Sequence, residues 1–330
     1  MITVHIGLGK CASTSLQTSV FPELERIKKN IQYNSRKLVY LSYRHHLVPL
    51  NISEKREFNK VLQNGKSHFI SHEALVNWDP VYLEKAADLN LELFGRKANI
   101  IIIIRDPLSY FTSVYQQMIH QGNIIPADDF FVTKDIYNII KPSMVSELRY
   151  LNTDVFSLQK LNEIYTERFD KVFFIPLSKV KDLSFLKDTC DISTQELEHL
   201  KNKFRDAPRF NVAYSSLAME LTFKREKILN FLGLKSYGLY DRLLLDLHVD
   251  ATNLDSNPAA ISPWSALCFT EKLKQSPVRF MARIRWRSLM QNVVNKYMPY
   301  RKYMLPEGLA ISQKNLEENA AYLKKIEEMS

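Results

Sequence analysis

The chain has 330 residues, of which 45% are hydrophobic, and its formal net charge is +9. This length and apolar content suit a large core, and the sequence contains no internal repeat or low-complexity tract, which favours one sizeable globular protein over a string of modules. Three scattered cysteines exclude a disulfide framework, and the eight histidines never fall at metal-ligand spacing, so we expect no metal site. No signal peptide is recognisable and no apolar run approaches the roughly 20 residues of a membrane-spanning helix, so we expect a cytoplasmic protein.

The first predicted elements are a buried strand near residues 2–6, a glycine turn, and a helix near residues 14–29. Glycines at positions 7 and 9 allow the backbone to bend and to approach a ligand closely. The free amides at the start of the new helix, together with the cation of Lys10, favour an anion. We therefore predict a phosphate-binding turn formed by Gly9, Lys10, Cys11, Ala12, Ser13, Thr14 and Ser15.

Two common nucleotide motifs fit this turn poorly. A Walker P-loop places a glycine directly before Lys-Ser/Thr, whereas Lys10 here precedes the small residues, so an ordinary ATPase or kinase is disfavoured. The pattern Gly7-x-Gly9-x-x-Ala12 satisfies the relaxed dinucleotide fingerprint. That fingerprint also requires an acidic residue about 20 positions later, and no Asp or Glu occurs between Glu25 and Glu54. A dehydrogenase is therefore disfavoured as well.

A second strand-to-helix junction is predicted at residues 99–116. Five consecutive isoleucines are typical of a central parallel strand that is buried on both faces. Arg105 follows at the carboxyl end of this strand, where ligands of open α/β sheets bind, and Pro107 is suited to open the next helix. Ser113 would then lie in the second turn and face the same site as Arg105, an arrangement that suits a phosphate dianion.

Alternating strands and helices predict an α/β protein with a central parallel sheet flanked by helices. Further strands are expected near 38–41, 67–71 and 171–176, and further helices at 80–93, 108–120, 194–204, 215–232 and 316–329. No domain boundary is visible. We predict a single domain over residues 1–330, with a P-loop-like nucleotide-binding core at about 1–190 and a mostly helical portion at about 191–330.

Together the two junctions resemble the nucleotide-binding signatures of sulfotransferases that use 3′-phosphoadenosine 5′-phosphosulfate (PAPS), in particular bacterial carbohydrate sulfotransferases. The segment from Lys10 to Leu16 is similar to the family's 5′-phosphosulfate loop, and Arg105-x-Pro107 with Ser113 is similar to its 3′-phosphate motif. Ala12 stands where the family has glycine, and an alanine is free of strain there only if its φ is negative. Ser13 replaces the usual threonine, and Cys11 a serine or threonine.

The resemblance implies PAPS as co-substrate and in-line transfer of a sulfuryl group to a hydroxyl of a carbohydrate acceptor: a surface polysaccharide, a glycolipid or a glycoside. Lys10 would neutralise the charge on the departing phosphate oxygen, and residues 13–15 would add donors. The acceptor hydroxyl also needs a base. His46 is the first choice, with Glu73 as its orienting partner or as the alternative base, because both are expected to follow strands; His45 and His72 remain open.

The stretch 272–306 contains nine basic residues and no acidic one, interleaved with aromatic and aliphatic side chains. Such a segment fits an anionic glycan or an anionic membrane surface. No helix-turn-helix, RNP or zinc-finger pattern accompanies the charge, so we expect no nucleic-acid partner. The alternative to an enzyme is a non-catalytic protein that binds a polyanion or a nucleotide on the same fold, and a P-loop-type kinase is a weaker alternative.

Overall fold

A computed structural model describes residues 1–8, 11–76, 80–120, 123–140, 150–207, 213–232 and 285–329. Five strands form one sheet in the order β2-β3-β1-β4-β5, and every neighbouring pair is parallel. The strands are β1 (Ile2–His5), β2 (Ile31–Tyr33), β3 (Ser67–Ser71), β4 (Asn99–Ile104) and β5 (Lys171–Pro176). The predicted α/β class with a parallel sheet is therefore confirmed.

Helices flank the sheet and contain most of the remaining described chain. Helix α1 is continuous through Ser13–Ser15, a π-helical segment Leu16–Val20 and Phe21–Ile27. The others before β5 are α2 (Arg36–Leu47), α3 (Ile52–Leu62), α4 (Leu83–Phe94), α5 (Pro107–His120), α6 (Ala127–Phe130), α7 (Lys134–Ile140) and α8 (Leu158–Arg168). After β5 follow α9 (Phe185–Cys190), α10 (Thr194–Arg205), α11 (Ser216–Phe231), α12 (285–297) and α13 (Gln313–Met329).

Strand β4 is the centre of the hydrophobic core. Its side chains from Ile100 to Ile104 are fully inaccessible to solvent, and the strand pairs with β1 on one side and with β5 on the other. A fully buried isoleucine contributes roughly 1.5–3 kcal/mol to folding. The prediction of a central strand covered on both faces is therefore confirmed. Because β4 is buried, the position of Arg105 at the carboxyl end of this strand is fixed.

The strand order creates a switch point between β1 and β4. From β1 the chain builds one side of the sheet with β2 and β3, and then crosses to the other side to add β4 and β5. In open parallel sheets the crevice at such a point, beyond the carboxyl ends of the strands, is the usual place for a ligand. The chain leaves these two strands at positions 6 and 105, the two junctions that the sequence singles out.

The predicted strand at 38–41 is wrong. These residues lie inside α2, and the second strand is the short segment Ile31–Tyr33 at the edge of the sheet. The apolar run Leu38–Leu41 is fully or almost fully buried because α2 packs against both α3 and α4. A short apolar run has the same pattern in a buried helix as in a strand, whereas β2 contains a polar residue, Gln32, and lacks such a run.

The part after residue 190 is mostly helical where the structure describes it. Helix α13 is attached to the core by Asn319, whose Oδ1 accepts a hydrogen bond from the backbone N–H of Leu158 at 2.6 Å and whose Nδ2 donates to the carbonyl of Phe156 at 3.0 Å. Asn319 is only 3% exposed, so these bonds are shielded from water. Within the described ranges, no helix combines the length and apolar character needed to cross a lipid bilayer.

Candidate functional site

Arg105 and Ser113 meet at the carboxyl end of β4. Helix α5 begins at Pro107, and Asp106 caps it by accepting a hydrogen bond from the backbone N–H of Ser109 at 2.8 Å. This start places Ser113 in the second turn of the helix, where its hydroxyl accepts a hydrogen bond from Arg105 Nη1 at 3.1 Å. A guanidinium and a hydroxyl held together in this way can both donate hydrogen bonds to an anion.

A cavity of about 290 Å³ opens beside this pair. Its walls are α5 and the segment that follows α12, and they include Arg105, Thr112, Ser113, Tyr300, Lys302 and Tyr303. Lys302 is the second basic residue on the walls of this cavity, and its side chain is exposed. Its backbone is fixed by an antiparallel bridge to Ser215, and the backbone N–H of Ser216 donates to the carbonyl of Arg301 at 2.9 Å.

In the sequence, Lys302 is one of the nine basic residues of a stretch, 272–306, that is predicted to bind a polyanion. Its place in this cavity depends on a contact between the start of α11 and a segment about 87 residues later, and no local pattern signals such a contact. Residues 272–284 of the same stretch lie outside the described residues. The described remainder contributes one wall of the cavity beside Arg105.

The predicted phosphate-binding turn is described on both sides of Gly9 and Lys10, which lie outside the described residues. Gly7 lies in a tight space, because a Cβ atom at this position would lie 2.9 Å from Ser13 Oγ and 3.1 Å from His5 Nε2. Ala12 has φ = 61° and ψ = 7°, in the left-handed region, and the helix begins at Ser13. The condition for a strain-free alanine, a negative φ, is not met.

The pKa of the Cys11 thiol depends on its burial and on two nearby charges. Cys11 is fully buried, and burial is the main cause that raises the pKa of its thiol to about 12; the charge of Arg105 lowers this pKa and that of Glu73 raises it. The thiol is therefore protonated at neutral pH and acts as a small buried group. Because the charges of Arg105 and Glu73 both act on Cys11, the predicted phosphate-binding turn, the β4 junction and the end of β3 lie near one another.

His46 is held in the interior by a hydrogen-bond network. It lies in the last turn of α2 and is 6% exposed, and its Nε2 is 2.9 Å from Asn90 Oδ1. Since an amide oxygen only accepts, Nε2 carries the proton. Asn90 in turn donates to the carbonyl of Leu75 at 2.7 Å and to the hydroxyl of Tyr165 at 3.1 Å. Burial lowers the pKa of His46 to about 4.

The neighbouring histidine is also engaged. His45 Nδ1 accepts a hydrogen bond from the backbone N–H of Leu50 at 3.2 Å, and His45 Nε2 lies 3.2 Å from Glu92 Oε2. The expectation that His45 and His46 follow a strand is wrong, because both lie in α2. Their contacts join α2 to α4 and to the chain that follows α2.

The chain just after β3 carries the acidic group whose charge acts on Cys11. Glu73 opens a short 3₁₀ helix, Glu73–Leu75, two residues after the strand, and it is only partly buried. His72 precedes it, with its ring centroid 5.3 Å from that of Tyr43, and burial lowers the pKa of His72 to about 4. Of the two predicted bases, Glu73 is thus the one whose charge reaches the phosphate-binding turn through Cys11.

No protein-family model matches the chain, and no curated protein is significantly similar to it in sequence. Across the described ranges, no group of three or more His, Cys, Asp or Glu side chains is placed to hold a metal ion.

Proposed function

We propose that the chain is a sulfotransferase that moves the sulfuryl group of PAPS to a hydroxyl of a carbohydrate acceptor. The observation that carries this proposal is the position of the two motifs: they leave β1 and β4 on either side of the switch point, and Arg105 there donates to Ser113. This pairing supports a ligand with two separate phosphate groups, such as the 5′- and 3′-phosphates of PAPS.

The proposed roles follow from charge and position. Arg105, Ser113 and Lys302 would bind the 3′-phosphate in the cavity beside α5, where two cations oppose its two negative charges. The start of α1 would bind the 5′-phosphosulfate with the amides and hydroxyls of residues 13–15. Lys10, which lies outside the described residues, would neutralise the bridging oxygen as the S–O bond of the donor breaks.

Acceptor activation is assigned to Glu73. The acceptor oxygen forms the new O–S bond, its proton passes to the Glu73 carboxylate, and adenosine 3′,5′-bisphosphate leaves. Glu73 is preferred over His46 because it is partly exposed and near Cys11, whereas His46 donates into a buried network with Asn90. A general base of this kind contributes typically about 10²–10⁴-fold in rate.

Nucleotide selectivity tests the proposal. Adenosine 3′,5′-bisphosphate should raise the melting temperature of the protein, and ATP and NAD should not. Arg105→Ala should weaken bisphosphate binding by about tenfold or more, because a hydrogen-bonded charge contact is lost. Arg56→Ala is the matched control, because Arg56 is an exposed arginine of α3, and it should bind as the wild type does.

Turnover is measured with sulfur-labelled PAPS and fractionated cell-surface glycans, followed by mass spectrometry of the sulfated product. Lys10→Ala should fold normally and lose about 10²–10³-fold in turnover. Stabilisation by ATP or NAD in place of the bisphosphate would contradict the proposal and favour a kinase or a dehydrogenase. Bisphosphate binding without any sulfated product would favour the non-catalytic alternative.

A further inference from the structure

Two buried polar atoms beneath the phosphate-binding turn have no hydrogen-bond partner among the described residues: His5 Nε2 and Ser13 Oγ. His5 is the last residue of β1 and is fully inaccessible to solvent, and Ser13 is 1% exposed. Buried polar atoms are nearly always paired in folded proteins, so two unpaired atoms at one place require an explanation. Both belong to the junction at which β1 passes into α1.

The two atoms face the same point. A Cβ atom on Gly7 would lie 2.9 Å from Ser13 Oγ and 3.1 Å from His5 Nε2, so these atoms are at most about 6 Å apart. A serine hydroxyl changes position when the side chain moves between its staggered χ1 rotamers. The glycine at position 7 leaves the space between the strand end and the helix start that such a movement needs.

The contacts of His5 define which nitrogen carries its proton. Gln17 Nε2 donates to Ser71 Oγ at 3.0 Å, and Ser71 Oγ lies 2.7 Å from His5 Nδ1. In the described part of the chain, the acceptor within reach of the Ser71 hydroxyl proton is His5 Nδ1. Burial keeps His5 neutral by lowering its pKa to about 3. A neutral imidazole that accepts at Nδ1 carries its proton at Nε2, the atom that lies within about 6 Å of Ser13 Oγ.

We propose that His5 is a positioning residue for Ser13: when the 5′-phosphate group binds at the start of α1, His5 Nε2–H donates to Ser13 Oγ, and Ser13 donates its own proton to a phosphate oxygen. A donor chain then runs from Gln17 through Ser71, His5 and Ser13 to the anion, and each bond polarises the next. This inference depends on the proposed function, because it assigns the inner support of the same phosphate site.

Binding of two nucleotides tests this chain. Adenosine 3′,5′-bisphosphate carries the 5′-phosphate, whereas adenosine 3′-monophosphate lacks it and serves as the control ligand. Ser13→Ala and His5→Asn should each weaken the bisphosphate by about tenfold and leave the monophosphate unchanged. Asparagine retains a polar atom near Nδ1, and His5→Gln, which places an amide N–H near the position of Nε2, should retain most of the affinity.

A double variant shows whether the two residues act together. If His5 acts only through Ser13, then His5→Asn combined with Ser13→Ala should bind no more weakly than Ser13→Ala alone. Additive losses, or a His5→Asn variant with wild-type affinity for the bisphosphate, would overturn the proposal. Circular dichroism of each variant confirms that it is folded before binding is measured.

The tautomer of His5 in the wild-type protein provides a test that needs no variant. Nitrogen-15 NMR should show a neutral imidazole protonated at Nε2, and its Nε2 signal should shift when the bisphosphate is added but not with the monophosphate. Protonation at Nδ1 would overturn the chain even if the bisphosphate binds. Failure of the wild type to bind either nucleotide would instead overturn the proposed function, and the tautomer would still decide the hydrogen-bond direction.

Discussion

Ala12 occupies a backbone conformation that normally belongs to glycine. Its φ of 61° places it in the left-handed region immediately before the first residue of α1. In that region the Cβ atom crowds the following carbonyl oxygen, at a cost of roughly 1–2 kcal/mol, and glycine avoids this cost. The site thus carries local strain at the point where the proposed anion binds, which is where backbone strain in proteins often concentrates.

Replacing Ala12 with glycine should raise the free energy of unfolding by about 0.5–1 kcal/mol, because the relief of strain exceeds the extra chain entropy that glycine has when unfolded. Urea denaturation measures the change. Ala320→Gly is the matched control: Ala320 is exposed inside α13, and glycine there should lower the same quantity by about 1 kcal/mol. A destabilised Ala12→Gly variant would show that the left-handed conformation does not strain this alanine.

At the scale of whole elements, the turn after β3 and the helix α2 have different tasks. The turn carries Glu73, which is partly exposed and whose charge reaches Cys11. Helix α2 carries His46, which donates a hydrogen bond to Asn90. Asn90 in turn donates to the carbonyl of Leu75, the last residue of the 3₁₀ helix that follows β3. His46 therefore belongs to a buried hydrogen-bond network that holds this 3₁₀ helix, while Glu73 at its start is partly exposed.

Glu73→Gln should lower kcat by about 10²–10⁴-fold with little effect on stability, because the amide retains the size of the side chain but cannot accept the acceptor proton. His46→Ala should do the reverse. It leaves Asn90 Oδ1 buried without its donor, which should cost about 1–3 kcal/mol in the free energy of unfolding while the folded fraction keeps most of its kcat. Steady-state kinetics and urea denaturation on both variants separate the two roles, and a large loss of kcat in His46→Ala alone would reverse the assignment.

The difference between prediction and structure in this region has a physical cause. The sequence predicts strands 67–71, 99–104 and 171–176 with the bounds that the structure has, and the last two contain runs of four or more apolar residues before a turn or a helix. The run 38–41 is equally apolar, yet it lies in a helix covered by two other helices. Whether such a run forms a strand or a buried helix depends on tertiary contacts, which a single sequence does not show.

The whole molecule determines which predicted residues share a site. The eight-residue spacing was enough to predict that Arg105 and Ser113 meet, because a single strand-to-helix junction contains both. The strand order was not predictable in this way, and it is the order that places β1 beside β4 and brings Cys11 near Arg105 and Glu73. Lys302 lines the cavity because its segment pairs with the start of α11, at Ser215 and Ser216, so its position there appears once the chain is folded.

Buried histidines make the stability of the whole fold sensitive to acid. Burial lowers the pKa of His5 to about 3 and those of His46 and His72 to about 4, from 6.5. Between about pH 6.5 and about pH 4 the unfolded chain therefore binds protons that the folded chain does not. As the pH falls through this range, the free energy of unfolding should fall by up to about 1.4 kcal/mol per pH unit for each of these histidines.

Urea denaturation at several pH values across this range measures the slope. His46→Gln, which keeps an N–H near Asn90 but does not titrate, should reduce that slope by the share of one proton. A stability that is flat over this window, or an unchanged slope in His46→Gln, would show that these side chains do not stay neutral in the native state.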